Sequence, residues 1–232
     1  MTLLIDSVIA FVKTIGGKLE LMSAIVQHAP CFVETDASRI AGDLFAIDAT
    51  AKPLPSERDQ NFRLTTADND VYVLKIANSM EQKAVLDFQN QAMMRFDNKG
   101  RLPAPHGSIA PRVCASIDGG CISSTQGQDG TNYFVRLLSY LPGKPLALVK
   151  PHNAHLMNNL GQFFGHISRV LEDFDHPAAK RDFHWDLKNA RRVITRYVGI
   201  IAEEKLQEIV LRLFDRYQTE TAPKLPELRT SI

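Results

Sequence analysis

VYVLKIAN, residues 71–78, alternates so that Val71, Val73 and Lys75 share one face of a strand while Tyr72, Leu74 and Ile76 share the other. Upstream, Gln60 to Thr65 has the same β-rich character, and the turn-forming residues from Ala67 to Asp70 join the two runs into a hairpin. Asp36 is placed to cap a short helix before the hairpin, with Ile40, Leu44 and Ile47 at helical spacing. A second helix is expected from about Met80 to Phe96. Two more strand-like runs follow, Arg112 to Ile117 and Tyr133 to Tyr140, before Leu141-Pro142-Gly143 ends the β-rich part. The helical period then takes over. Leu156, Leu160, Phe163, Ile167, Val170 and Phe174 form one stripe that stops at Asp175-His176-Pro177, and Leu206, Ile209, Val210, Leu213 and Tyr217 form another.

A lysine that shares a strand face with two valines has two readings. One is an edge-strand lysine that carries its ammonium out to solvent. The other is a nucleotide-site lysine, with Val73 packed on the base and Lys75 holding phosphate oxygens. The helix after the strand bears on the choice. Val85, Gln89, Ala92 and Phe96 fall on one stripe, so an amide interrupts an apolar face, and a buried amide needs a partner. On the nucleotide-site reading, Gln89 stands where such sites carry a helix glutamate that orients the lysine, and it is expected to meet Lys75 through its carbonyl oxygen, without the ion pair a glutamate would supply. Asp87 lies on another side of the helix. The bland alternative for Gln89 is a residue at the edge of the stripe.

Composition bounds the remaining choices. The chain has 232 residues, 44% of them hydrophobic, which is ample material for a core. With 27 basic against 26 acidic residues it carries no basic footprint for nucleic acid. Cys31, Cys114 and Cys121 have no zinc spacing and fit reduced thiols in a cytoplasmic protein. The apolar opening is interrupted by Asp6 and Lys13 and lacks signal-peptide flanks, so it reads as an amphipathic helix rather than a membrane span. A natural start at Met22 is also compatible with the sequence.

Taken together, PLPSERDQNFRL, VLKIAN, LDFQNQAM and YFVRLLSYLPGKPLA resemble the aminoglycoside-phosphotransferase-like kinases. The hydroxylysine-kinase-like branch, including forms fused to class III aminotransferases, is the nearest in look. The resemblance runs from about Ala37 to the C-terminus. It implies an α+β, protein-kinase-like fold, with an antiparallel β lobe with one helix over 35–138, a hinge at 139–143 and part of an all-helical lobe over 144–232, all preceded by the helical extension read above over 1–34. It implies that backbone N–H groups of Ser56 to Phe62, with Ser56 or Arg58, cover the nucleotide phosphates in place of a Gly-rich loop, and that Ser139, Tyr140 and Leu141 present backbone to the adenine edge. ATP or GTP with Mg2+ is the implied cofactor set and a small amino/hydroxyl compound the acceptor, with no nucleic acid or membrane partner. PLP enters only with a downstream aminotransferase domain.

Phosphoryl transfer also needs an aspartate for the acceptor hydroxyl and Asp or Asn ligands for magnesium. HWDLKN, residues 184–189, resembles a catalytic loop, but Arg191 stands where its metal-binding Asn belongs and no DFG-like motif follows. In the resembled branch such a W-D-L segment belongs to a helical insert ahead of the catalytic loop, with Trp185 as an anchor. The expectation is a nucleotide-binding scaffold without a catalytic residue or metal ligands, truncated before the catalytic loop and inactive alone. A non-catalytic front module of a larger PLP-dependent enzyme is the alternative. Apolar helix faces left exposed are expected to drive self-association.

Overall fold

The computed structural model describes residues 28–56, 58–99, 109–182 and 186–228. The expected helix before residue 28, the anchor Trp185 and the chain after residue 228 lie outside them. The chain clusters into two compact units that divide after Ala179.

The first unit is built on a six-stranded antiparallel sheet. Its strands are β1 (Ala49–Leu54), β2 (Gln60–Thr66), β3 (Val71–Ile76), β4 (Val113–Cys114), β5 (Ser123–Gln126) and β6 (Asn132–Ser139). The order is β1-β2-β3-β6-β4, with β5 also pairing β6. The β2–β3 hairpin forms as its pattern predicts. Asn69 takes a positive φ of 65°, the Asn69 N–H bonds the Thr66 carbonyl, and the Thr66 hydroxyl accepts from the Asp70 N–H. β1 and β5 were not legible from alternation. β1 is interrupted by Pro53, which an edge strand tolerates, and β5 is a polar SSTQ run on the sheet margin.

Helix α1 (Glu34–Phe45) covers one face of the sheet. Ile40, Phe45 and Ala41 pack there on Phe62, Leu64, Leu74, Ile76, Val135 and Leu137, all buried. The alternation in β3 is thus borne out: Leu74 and Ile76 enter the core while Val73 and Lys75 turn to the other face. Asp36 differs from its expected place. The helix starts earlier, at Glu34, because Asp36 sits in the first turn and its carboxylate reaches back to accept from the Val33 N–H at 3.1 Å.

Helix α2 (Lys83–Lys99) lies with the opposite sheet face, and α3 (Ala154–Val170) belongs to the same unit. The Asn153 side chain caps α3 by accepting from the Leu156 N–H at 2.9 Å. α3 ends at Val170, before Phe174, which instead stacks on Phe88 of α2 at 5.9 Å. Beside that stack His176 Nδ1 accepts from the Ala178 N–H, which leaves Nε2 to donate to Asp87 at 3.2 Å. Arg95 Nε donates to the Val170 carbonyl at 2.7 Å, and its guanidinium pairs with Asp173. These contacts hold α2 along the side away from the sheet.

The second unit contains α4 (Ala190–Tyr197) and α5 (Glu204–Arg216). Within it Asp182 accepts two bonds from Arg192, at 2.6 and 2.8 Å, and the Tyr217 hydroxyl donates to the Leu187 carbonyl at 2.8 Å. No described helix is long and apolar enough to cross a membrane.

Replacing Phe62, which is 1% exposed between α1 and the sheet, should cost about 3–5 kcal/mol as Phe62→Ala. Urea unfolding followed by circular dichroism measures it.

Candidate nucleotide site

β3 is a central strand, flanked by β2 and β6, so Lys75 is not an edge residue. Its register neighbours are Asn61 on β2 and Arg136 on β6. Residues directly opposite in antiparallel strands share a face, which sets Asn61, Lys75 and Arg136 in a row across the sheet face that carries α2. Lys75 Nζ donates to Asn61 Oδ1 at 2.8 Å.

Arg136 is the residue in this row that the sequence reading missed. It is only 2% exposed. Nη1 donates to the Leu86 carbonyl at 3.2 Å and to Asn90 Oδ1 at 3.0 Å, and Nη2 donates to Gln89 Oε1 at 2.7 Å. The expected bond between Gln89 and Lys75 is therefore replaced by one between Gln89 and Arg136. The reason is reach and shape: a planar guanidinium on β6 engages three acceptors of α2 together, whereas the single ammonium on β3 turns to the amide across the β2 ladder. Asn90, 1% exposed, completes the seat by donating to the Cys121 carbonyl at 3.1 Å. A signal was present: in NYFVRLLS, Arg136 interrupts a run whose neighbours Val135, Leu137 and Leu138 are all core residues.

The electrostatics follow from this packing. Burial pushes the Lys75 ammonium below its ordinary value, Asp59 opposes that shift and the neighbouring Arg136 adds to it. Burial likewise lowers Arg136, opposed by Asp59 and Glu81. No described carboxylate forms an ion pair with either cation.

The other expected site residues fall around this row. Val73 lies half-buried on the Lys75 face. Ser56 is exposed in the β1–β2 connection, while Arg58 pairs with Glu81 at 3.4 Å. Asp59 accepts from the Asn78 N–H at 3.1 Å. At the end of β6, the Ser139 N–H bonds the Arg112 carbonyl and the Tyr140 N–H bonds the Val71 carbonyl, at 2.8 and 3.2 Å. Arg63 lies over the Tyr140 ring, 5.4 Å from its centroid. Among the described residues the N–H of Leu141, 40% exposed, has no partner within the protein.

Asp186 turns its carboxylate on its own loop, accepting from the Lys188 N–H at 3.0 Å and pairing with the Lys188 ammonium at 3.0 Å. Asn189 donates to Asp182. Both groups are thus engaged locally. No cluster of His, Cys, Asp or Glu that could hold a metal ion occurs among the described residues. An open cavity of about 450 Å³ lies elsewhere, between the end of α1, Lys83 and the Ser116–Asp118 turn.

An antiparallel β lobe with one helix on the lysine face, leading through a short connector into helices, defines the protein-kinase-like class of phosphotransferase. The comparisons with known proteins carry this further: residues 50–231 match the phosphotransferase enzyme family model, and the chain belongs to that family. The hydroxylysine kinase of Mus musculus is 31% identical over 217 residues, and that of Bos taurus is 28% identical over the same length. Each alignment covers 88% of this chain and 56% of the relative, so the chain spans little more than half the length of these proteins. Among solved structures, an amicoumacin kinase in complex with AMP-PNP, Ca2+ and Ami superposes with a TM-score of 0.60 at 16% identity, covering 86% of this chain and 55% of that one. A microcompartment-associated aminopropanol kinase gives 0.58 at 15%, covering 83% and 57%. These two likenesses show the fold.

The depressed Lys75 pKa has a signed consequence. Below its folded value Lys75 is charged in both folded and unfolded chains, and the burial penalty is felt in full. As pH rises from that value to the ordinary lysine value, the folded chain sheds the proton first and the penalty is relieved. Wild type should therefore gain stability relative to Lys75→Met across that interval, which paired urea titrations at a series of pH values measure.

Proposed function

We propose that this chain forms the nucleotide-holding part of an ATP- or GTP-dependent phosphotransferase whose acceptor is a small compound bearing amino and hydroxyl groups. The observation that carries the proposal is the row Asn61–Lys75–Arg136, where two neighbouring cations meet only neutral hydrogen-bond partners. A buried positive charge without a counter-ion is costly, and an anionic ligand removes that cost. Polyphosphate is such a ligand. Lys75 would hold phosphate oxygens, Val73 would pack on the base, and the unpartnered Leu141 N–H would meet the base edge. Ser56 and the backbone beside it would close over the phosphates. Arg58 would act indirectly, its pairing with Glu81 steadying that loop.

The acceptor class rests on the named relatives. Hydroxylysine and aminopropanol both join an amine to a hydroxyl, and their kinases share sequence or fold with this chain. The aspartate that orients the acceptor and the ligands for magnesium are assigned outside the described residues, since Asp186 and Asn189 are committed to their own loop. Magnesium, when bound with the nucleotide, would neutralise charge on the phosphate oxygens.

Calorimetric titration with magnesium-ATP tests the reading. Removing a charge-assisted contact worth roughly 1.5–3 kcal/mol should weaken binding by about 10- to 100-fold in Lys75→Ala. Equal affinity in both proteins would refute the nucleotide role of Lys75 and favour a non-catalytic kinase-like module.

A further inference from the structure

We propose that Arg136 is a positioning residue: it anchors α2 through neutral acceptors alone, and so leaves Lys75 without a direct carboxylate ion pair and its ammonium available to phosphate. This inference rests on the nucleotide-site reading above.

A kinase lobe has to fix its helix on the sheet beside the strand lysine, and a carboxylate on the helix does both tasks by pairing with the lysine. Here the tasks are divided. Arg136 docks the helix, gripping Gln89, Asn90 and the Leu86 carbonyl from the strand next to β3. Lys75 is steadied from the other side by Asn61. The side chains that contact the two cations are all amides: Asn61, Gln89 and Asn90. An amide accepts a hydrogen bond through its carbonyl without cancelling charge, whereas Asp or Glu at the same place would cancel it. Asp59 and Glu81 act on the two cations through space, but their hydrogen bonds go elsewhere. Glu81 pairs with Arg58, and Asp59 accepts from the Asn78 N–H. The sheet face therefore keeps two cations that no acid pairs directly, with Asp59 and Glu81 offsetting their charge only from a distance.

A purely structural Arg136 and a charge-keeping Arg136 predict different outcomes for Gln89→Glu. In both cases the new carboxylate pairs with Arg136 and raises the melting temperature. Only in the second does it also weaken anions. The experiment titrates wild type, Gln89→Glu and Arg136→Lys with inorganic tripolyphosphate, ATP and adenosine by calorimetry. The expected result is that wild type binds tripolyphosphate and that Gln89→Glu weakens tripolyphosphate and ATP by roughly tenfold while leaving adenosine unchanged. Arg136→Lys, which keeps the charge and loses the fork, should hold tripolyphosphate affinity within about threefold even where its melting temperature falls. Should Gln89→Glu fail to fold, Asn61→Asp places the same charge on the other side of Lys75 and carries the same expectation.

Unchanged tripolyphosphate and ATP affinity in the carboxylate variants would overturn the proposal, as would wild type that binds none of the three. Tripolyphosphate binding that the carboxylate variants weaken, without any preference for ATP over tripolyphosphate, would uphold the cation pair and refute the nucleotide reading.

Discussion

Arg136 places a full positive charge inside the β lobe, and the surrounding elements are arranged to supply its hydrogen bonds. Burying a guanidinium without an acid is unfavourable unless its N–H groups are met. Helix α2 meets them with a carbonyl and two amides. That requirement fixes the rotation of α2 about its axis, because Leu86, Gln89 and Asn90 must all face β6. With this rotation set, Asp87, Phe88 and Arg95 turn to the segment after α3, where His176, Phe174 and Asp173 receive them. One charge on a strand thereby determines which sides of the helix bind the sheet and which bind the rest of the unit.

The division between the two sheet faces makes this arrangement affordable. The face toward α1 carries the apolar core, with Phe62, Leu64, Leu74, Ile76, Val135 and Leu137 buried together. At roughly 1.5–3 kcal/mol for each large side chain removed from water, that face stabilises the lobe enough to carry polar groups on the other. Strand alternation then puts the charged row on the face where α2 and the connector from β6 converge. A core on one side and a charged row on the other lets the sheet carry buried cations without losing its apolar packing.

Membership of the phosphotransferase family agrees with this plan, and the departures from the usual kinase arrangement are local. Gln89 takes a position where a helix glutamate was the expected type, and Arg136 uses it. The connection from Ser56 to Asp59 has no Gly-rich motif, and within it Arg58 pairs with Glu81 while Asp59 accepts from the Asn78 N–H. Each departure changes how charge is held near Lys75 and leaves the fold unchanged.

The alternation of VYVLKIAN, the β2–β3 turn and the helical stripes were legible from the sequence, because period and turn chemistry are local properties. So were the candidate lysine and the helix residue that needed a polar partner. The short or proline-bearing strands β1 and β5 were not, since they exist through pairing with β2 and β6 and not through their own pattern. The identity of Gln89's partner was not legible either. It depends on β6 lying next to β3, a pairing between residues about sixty positions apart that brings Arg136 opposite Lys75. The sequence by itself determined which residues carry charge and which face of each element they occupy. Only the tertiary structure decided which charges stand side by side, because that follows from strand order, and strand order is a property of the folded sheet.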